Sequence, residues 1–213
     1  MEFELVIFDL DGVLVDSSSC HAHAFNDLWS LLELTGPSYE SIAGRSTIEV
    51  IEQATIEKEP KPEQIAEWVA FKQQRAREYM VNREIAFEDS EKCIRFLHEI
   101  GQRLALGTGA SRETAQMVLR RFGWETAFST IVTGEDVVNG KPAPEIFLKI
   151  MDRMNILPIR TLIVEDSRSG LSAALASNAF SAIVRSGIQI QNERFIGSFP
   201  DIESMLRSIK EVL

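Results

Sequence analysis

The chain reads as an α/β protein, a parallel sheet with helices on both faces, interrupted by an all-helical segment. Three observations carry that expectation. Leu5-Val6-Ile7-Phe8 is an apolar run that ends in Asp9 and Asp11, the pattern of a buried parallel strand whose carboxyl end opens into a site. After residue 88, short apolar runs alternate with stretches of helical spacing, which implies βαβ units. Residues 18–83 break that rhythm and contain no convincing strand.

The elements follow in order. His21 to Leu34, Thr47 to Ile56 and Glu63 to Val81 carry helical spacing, the last with Ile65, Trp68, Val69, Phe71 and Met80 as its apolar members. Residues 89–100 predict a helix with Cys93, Phe96, Leu97 and Ile100 on one face, ended by Gly101. Leu104-Ala105-Leu106 predicts a short buried strand. Residues 112–122 predict a helix stopped by Gly123, and Thr130-Ile131-Val132 a strand. A helix over 144–154 begins after Pro142 and Pro144. Leu162-Ile163-Val164 is a strand, 169–177 a helix, and Ala182-Ile183-Val184 a further strand. No internal repeat or low-complexity stretch is visible.

Composition narrows the function. The 213 residues suffice for one ordinary domain and a modest insert. Hydrophobic residues at 45% and charged residues at 25% suit a soluble globular protein, and no apolar run is long enough to span a membrane. Met1-Glu2-Phe3-Glu4 has no basic region and leads straight into the first strand, so no signal peptide is expected. Cys20 and Cys93 are too few for a disulfide framework or a zinc cluster, and reduced thiols in a cytoplasmic protein are the simplest expectation. The net charge of −10 disfavours nucleic acid as a partner. The same surface repels a small phosphate ester, so an enzyme acting on one needs local positive charge from a metal ion and placed cations.

Four stretches can supply such chemistry. Asp9 and Asp11 stand two apart at the end of the first strand, where ligands of open α/β sheets bind, and Gly12 lets the chain turn beside them. Two carboxylates divide labour when one is ionised and the other can carry a proton. Thr108-Gly109 offers a hydroxyl and an uncrowded backbone N–H, with a helix opening near Ser111-Arg112-Glu113. Gly140-Lys141-Pro142-Ala143-Pro144-Glu145 sets an ammonium in a stiff turn. Val164-Glu165-Asp166-Ser167 places two acids at the end of another apolar strand, and with Asp9 they make an oxygen-rich set suited to Mg2+.

The string Asp9-Leu10-Asp11-Gly12-Val13-Leu14-Val15-Asp16-Ser17 resembles the first motif of the haloacid dehalogenase superfamily of phosphatases and phosphomutases, and the other three stretches match its further motifs in order. The resemblance covers nearly the whole chain. It implies a Rossmann-like core at 1–17 and 84–213 with a small all-helical cap domain at 18–83. It gives Asp9 the role of nucleophile, forming an aspartyl phosphate, and Asp11 that of acid and base. Thr108 and Gly109 would bind the phosphoryl oxygens, and Lys141 would neutralise them and Asp9. Asp166 would bind Mg2+ directly, Glu165 directly or through water, and Asp11 through its main-chain carbonyl. Asp11 favours phosphoryl transfer over dehalogenation, which needs no proton delivered to an alcohol.

The resemblance is closest to the subfamily of β-phosphoglucomutase and phosphoglycolate-type phosphatases. Gly44-Arg45-Ser46 matches a cap loop that faces the site in those relatives, and Arg45 could hold a second anionic group. His21 matches a histidine at the start of the cap helix and could help position Asp11, whereas His23 and His98 have no such case. Lys72 or Arg75 could face phosphate, and the sequence does not choose between them. Thr47 stands where the mutase has an arginine, which favours a phosphatase over the alternative β-phosphohexomutase. Ser19 replaces a common glutamate, and Ala86-Phe87-Glu88-Asp89 replaces a common Pro-Gly turn after the cap. A signalling receiver domain, the model for a phosphoacceptor or binding role without turnover, has adjacent acids, no helical insert and a much shorter chain. The expected protein is thus a Mg2+-dependent phosphatase of a small phosphate monoester, cytoplasmic, monomeric or weakly self-associating, with no nucleic-acid or membrane partner.

Overall fold

The computed structural model describes residues 2–43 and 45–210. The chain divides into two compact units, residues 1–16 with 86–213, and residues 17–85.

The first unit is built on a six-stranded parallel sheet in the order β3-β2-β1-β4-β5-β6. The strands are β1 (Leu5–Phe8), β2 (Arg103–Gly107), β3 (Phe128–Val132), β4 (Thr161–Glu165), β5 (Phe180–Val184) and β6 (Phe195–Phe199). All four residues of β1 and all five of β4 are buried, as expected of strands covered on both faces. Leu5, Ile7, Ala105 and Ile163 point to one face, where they pack with Ile146, Phe147 and Ile150 of α7 (Glu145–Met154) and Ala173 and Ala174 of α8 (Arg168–Ala176). The other face is covered by α5 (Glu88–Glu99) and α9 (Ile202–Ile209), which pack on each other and on the sheet. The remaining helix of this unit is α6 (Arg112–Phe122), capped by Ser111 at its start and ended by Gly123 in the left-handed region at φ 69°.

Register positions the strand ends. Phe8 pairs with Leu106 on one side and with Val164 on the other. The next residues, Asp9, Gly107 and Glu165, are therefore level at the carboxyl end of three adjacent strands. The chain leaves β1 toward β2 and β4 on opposite sides, which is the switch point where open α/β sheets bind ligands.

The second unit consists of α1 (Ser18–Leu31), α2 (Tyr39–Ile42), α3 (Thr47–Ala54), a 3₁₀ turn at Ile56–Lys58, and α4 (Pro62–Val81). It has its own core of Phe25, Leu28, Trp29, Ile42, Val50, Ile51 and Ile65.

The structure departs from the sequence reading in several places. The predicted helix to Ile56 ends at Ala54, where the Thr55 hydroxyl donates to the Ile51 carbonyl. Strand β6, α2 and α9 were not predicted. The face of α5 is also different, with Ser90, Cys93, Ile94 and Leu97 buried and Phe96 and Ile100 exposed at 43% and 51%. Cys93 and Leu97 form the middle of a stripe flanked by 90/94 on one side and 96/100 on the other. Contact with β2 and α9 selects the first flank, a choice that helical spacing alone does not contain.

Phe147 is fully buried in the core beneath β2 and β1. Phe147→Ala is expected to lower stability by about 3–5 kcal/mol, measured by urea denaturation. A loss below about 1 kcal/mol would mean that α7 does not depend on this contact.

Candidate active site

The site grows from the three level strand ends. The Asp9 N–H donates to the Val164 carbonyl (3.0 Å) and extends the β1–β4 ladder by one residue, which fixes where the Asp9 side chain begins. The Lys141 ammonium donates to Asp9 Oδ1 at 2.7 Å, the Gly107 carbonyl at 3.0 Å and Glu165 Oε1 at 2.5 Å. All three of its hydrogens are thereby used. One lysine from a loop ties together the ends of β2, β1 and β4.

The loop that delivers Lys141 is itself held. Glu145, at the start of α7, accepts from the Val138 and Asn139 N–H groups at 2.9 and 2.8 Å, and these bonds hold its carboxyl below the usual range. In the sequence Glu145 stands out only as the last residue of the Gly140–Glu145 stretch. The N–H groups it binds lie in the loop six and seven residues before the helix, a pairing that leaves no local signal in the sequence.

Glu165 is 1% exposed and fully engaged. Its Oε2 accepts from the Ser167 hydroxyl (3.2 Å) and the Asp166 N–H (3.2 Å), and Ser167 Oγ in turn accepts from the Gly170 N–H at 3.0 Å as the cap of α8. A Cβ on Gly170 would lie 1.9–2.0 Å from the Glu165 carboxylate, so this glycine makes the room that Glu165 occupies. Gly12 does the same for Asp166: its φ is +81°, and an added Cβ would come within 2.0 Å of Asp166 Oδ2.

Asp9, Glu165 and Asp166 each offer a carboxylate oxygen within 4.8 Å of the others. Three acids thus crowd together, two of them bonded to the single Lys141 ammonium. Burial pushes the Asp9 carboxyl well above its ordinary value, Lys141 opposes this, and Glu165, Asp166 and Asp11 add to it. Asp166 is pushed up to about 7, first by burial and then by Glu165, with Lys141 opposing. Burial works against the Lys141 charge, but Asp9 and Glu165 outweigh it and hold the lysine protonated. The surplus of hard, negatively charged oxygens fits a divalent cation such as Mg2+.

Thr108 and Gly109 follow β2 directly. The Thr108 N–H donates to the Val132 carbonyl (3.1 Å), and its Oγ accepts from the Ala110 N–H at 3.0 Å, so its hydroxyl proton points elsewhere. A Cβ on Gly109 would meet nothing within 4 Å, so this glycine fronts open space. Asp11 lies in a closed turn in which the Gly12 N–H donates to the Val15 carbonyl (2.8 Å) and the Leu14 and Val15 N–H groups donate to the Leu10 carbonyl.

The other candidates belong to the second unit. His21 is in α1, and its Nδ1 lies 2.9 Å from the Nζ of Lys72. A charged lysine has only donors, so His21 Nδ1 accepts and the ring proton sits on Nε2. Lys72 is 3% exposed and lies 4.4 Å from the centre of the Phe25 ring. Arg75 is committed within its unit, with Nε 2.7 Å from Asp27 Oδ2 and further bonds to Glu78 and Tyr79. Arg45 is exposed just before α3, and Gly44 beside it lies outside the described residues. No helix among the described residues is long and apolar enough to cross a membrane.

Residues 6–184 match the family model for haloacid dehalogenase-like hydrolases. A phosphorylated carbohydrates phosphatase of Thermotoga maritima is 31% identical over 175 residues, 80% of each chain. The pyrophosphatase PpaX of Halalkalibacterium halodurans is 30% identical over 216 residues, covering all of this chain and 96% of that one. Among solved structures, CbbY of Rhodobacter sphaeroides in complex with phosphate superposes with a TM-score of 0.85 at 23% identity, over 98% of this chain and 99% of that one, a likeness of fold. The chain belongs to the haloacid dehalogenase-like hydrolase family.

The raised Asp166 value sets a pH dependence. The folded protein holds this proton more tightly than the unfolded chain, so the contribution to stability is complete below about pH 4 and is lost as pH rises through about 7. Without metal, Asp166→Asn is therefore expected to melt higher than the parent at pH 8, by on the order of 5 °C, with the difference shrinking as pH falls and vanishing near pH 4. Mg2+ should raise the parent's melting temperature more at pH 8 than at pH 6, and should not raise that of the variant. A Mg2+ shift of equal size in the variant would remove Asp166 from the metal site.

Proposed function

We propose that this hydrolase cleaves a small phosphate monoester, of the sugar phosphate or phosphoglycolate type, through an aspartyl phosphate on Asp9 with Mg2+ as cofactor. The observation that carries this reading is the Lys141 bridge, which fixes Asp9 Oδ1 at 2.7 Å at the switch point of the sheet. Asp9 Oδ2 has no hydrogen-bond partner among the described residues and is left to attack phosphorus.

In the first step the Asp9 Oδ2–P bond forms as the ester P–O bond breaks, and Asp11 gives its proton to the departing alcohol oxygen. In the second a water oxygen attacks phosphorus, its proton passes to Asp11, and the P–O bond to Asp9 breaks to release phosphate. The Thr108 hydroxyl and the Gly109 N–H donate to the transferred oxygens, and Lys141 balances their charge. Mg2+, when bound, supplies the positive charge that lets a phosphate dianion approach these carboxylates. Asp9, Asp166 and the Asp11 carbonyl would hold it. Glu165, with both oxygens already engaged, acts by orienting Lys141 and Ser167. Selection of the ester is assigned to residues 17–85, the cap domain of this reading, in which Arg75 is paired with Asp27.

The test is product release from a panel of phosphates, with Mg2+ and with chelator, by the parent and by Asp9→Asn. The panel holds sugar phosphates, phosphoglycolate, nucleotides, β-glucose 1-phosphate and, because one relative is named a pyrophosphatase, inorganic pyrophosphate. Metal-dependent phosphate release that falls to background in Asp9→Asn is expected. Full activity in Asp9→Asn would overturn the nucleophile assignment. Glucose 6-phosphate formed without free phosphate would replace the hydrolase reading by a phosphohexomutase.

A further inference from the structure

We propose that Arg185 is a positioning residue for the proton-transfer step, acting on the turn that carries Asp11. This rests on the assignment of Asp11 as the acid. Arg185 follows β5 with its backbone in the left-handed region at φ 68°, unusual for a residue with a side chain. The side chain is 18% exposed and turns inward. Its Nε donates to the Val13 carbonyl at 3.3 Å, one guanidinium NH2 donates to Asp89 Oδ1 at 2.6 Å, and its plane lies 3.7 Å from the centre of the Phe87 ring. Asp89 is fixed in turn, because its Oδ2 accepts from the Ile202 and Glu203 N–H groups at 2.7 and 3.3 Å at the start of α9.

These contacts finish what the Asp11 turn begins. Inside the turn, the Leu10 and Val15 carbonyls accept from the turn's own N–H groups. Two carbonyls face outward. The Leu14 carbonyl accepts from the Phe87 N–H (3.2 Å) and the Ser90 hydroxyl (2.8 Å), and the Val13 carbonyl accepts from Arg185. Without the guanidinium, the Val13 carbonyl loses this side-chain anchor, and the segment two residues from Asp11 is held only by the turn's own bonds and those at Leu14. General acid catalysis needs hydrogen-bond reach to the leaving oxygen, so a small shift costs rate where proton delivery limits the step. The residues that receive Arg185, Phe87 and Asp89, lie in the Ala86-Phe87-Glu88-Asp89 stretch where the chain departs from the Pro-Gly pattern. That departure becomes intelligible as the seat of this anchor.

The experiment compares turnover of p-nitrophenyl phosphate, whose leaving group needs no proton, with that of an unactivated sugar phosphate. It uses the full-length Mg2+ enzyme well below its melting temperature. Arg185→Met is expected to slow the sugar phosphate about tenfold and p-nitrophenyl phosphate less than about twofold. Arg185→Lys, which keeps the charge but not the fork that reaches both partners, should recover part of the loss. Asp11→Asn is the reference: it slows both esters through the hydrolysis step it also serves, and the sugar phosphate by at least about tenfold more. A misfolded fraction lowers both rates equally, so the ratio separates positioning from stability. Equal slowing of both esters in Arg185→Met, or no slowing, while Asp11→Asn discriminates, overturns the role of Arg185. Absence of discrimination in Asp11→Asn overturns the acid assignment, and the proposal with it. If Arg185→Met does not fold, Asp89→Asn, which keeps an acceptor for the α9 N–H groups, is read by the same ratio, and equal slowing there is equally fatal.

Discussion

Everything at the carboxyl end of the sheet depends on one ammonium bonded to two buried carboxylates, with a third, half-buried, beside them. Placing like charges together out of water is costly unless each finds a partner. Lys141 answers for Asp9 and Glu165 directly, and the N–H groups at the start of α8 answer for the other oxygen of Glu165. What is left over is Asp166 and the upward push of burial on the Asp9 carboxyl, a surplus of acid oxygens suited to a divalent cation and then a phosphate. The same imbalance that would weaken an ordinary core makes this place a site.

The arrangement is delivered by strand register rather than by sequence proximity. Asp9 and Lys141 are 132 residues apart and meet at 2.7 Å. Because Phe8 is level with both Leu106 and Val164, each flanking strand ends where β1 ends, and three chain segments present their next residue to the same point. A slip of one residue in either pairing would send Glu165 or Gly107 to the opposite face of the sheet. The two glycines then set how closely the acids approach. Gly12 leaves room for Asp166 and Gly170 for Glu165, so the geometry depends on the missing side chains as much as on those present.

Around this centre the supports form layers. Glu145 ties down the lysine loop, Ser167 orients Glu165, and Arg185 with Asp89 braces the turn after Asp9. Residues 17–85 are organised differently, around an aromatic and aliphatic core of their own, with a buried lysine beside a histidine and an arginine neutralised by Asp27. The first unit holds the groups assigned to bond breaking, and the second is the one assigned to substrate choice.

The apolar runs, the two glycine-ended helices and the four motifs determined the α/β class and named Asp9, Thr108, Lys141, Glu165 and Asp166 as site candidates before any coordinates. Period-two and period-3.6 patterns report burial locally, and strands covered on both faces leave a strong signal. Strand β6 left a weak one, since Phe195-Ile196-Gly197-Ser198-Phe199 is half-buried throughout with a glycine inside, as an edge strand can be. Helix α9 was legible in principle from Asp201 as its cap and Ile202, Met205, Leu206 and Ile209 at helical spacing. Which flank of α5 faces inward, that Arg75 pairs with Asp27, and how Arg185 reaches back to Val13 were decided only in three dimensions. Each of these depends on what stands opposite a side chain, and partners 48 to 172 residues away leave no mark on the local pattern of a sequence.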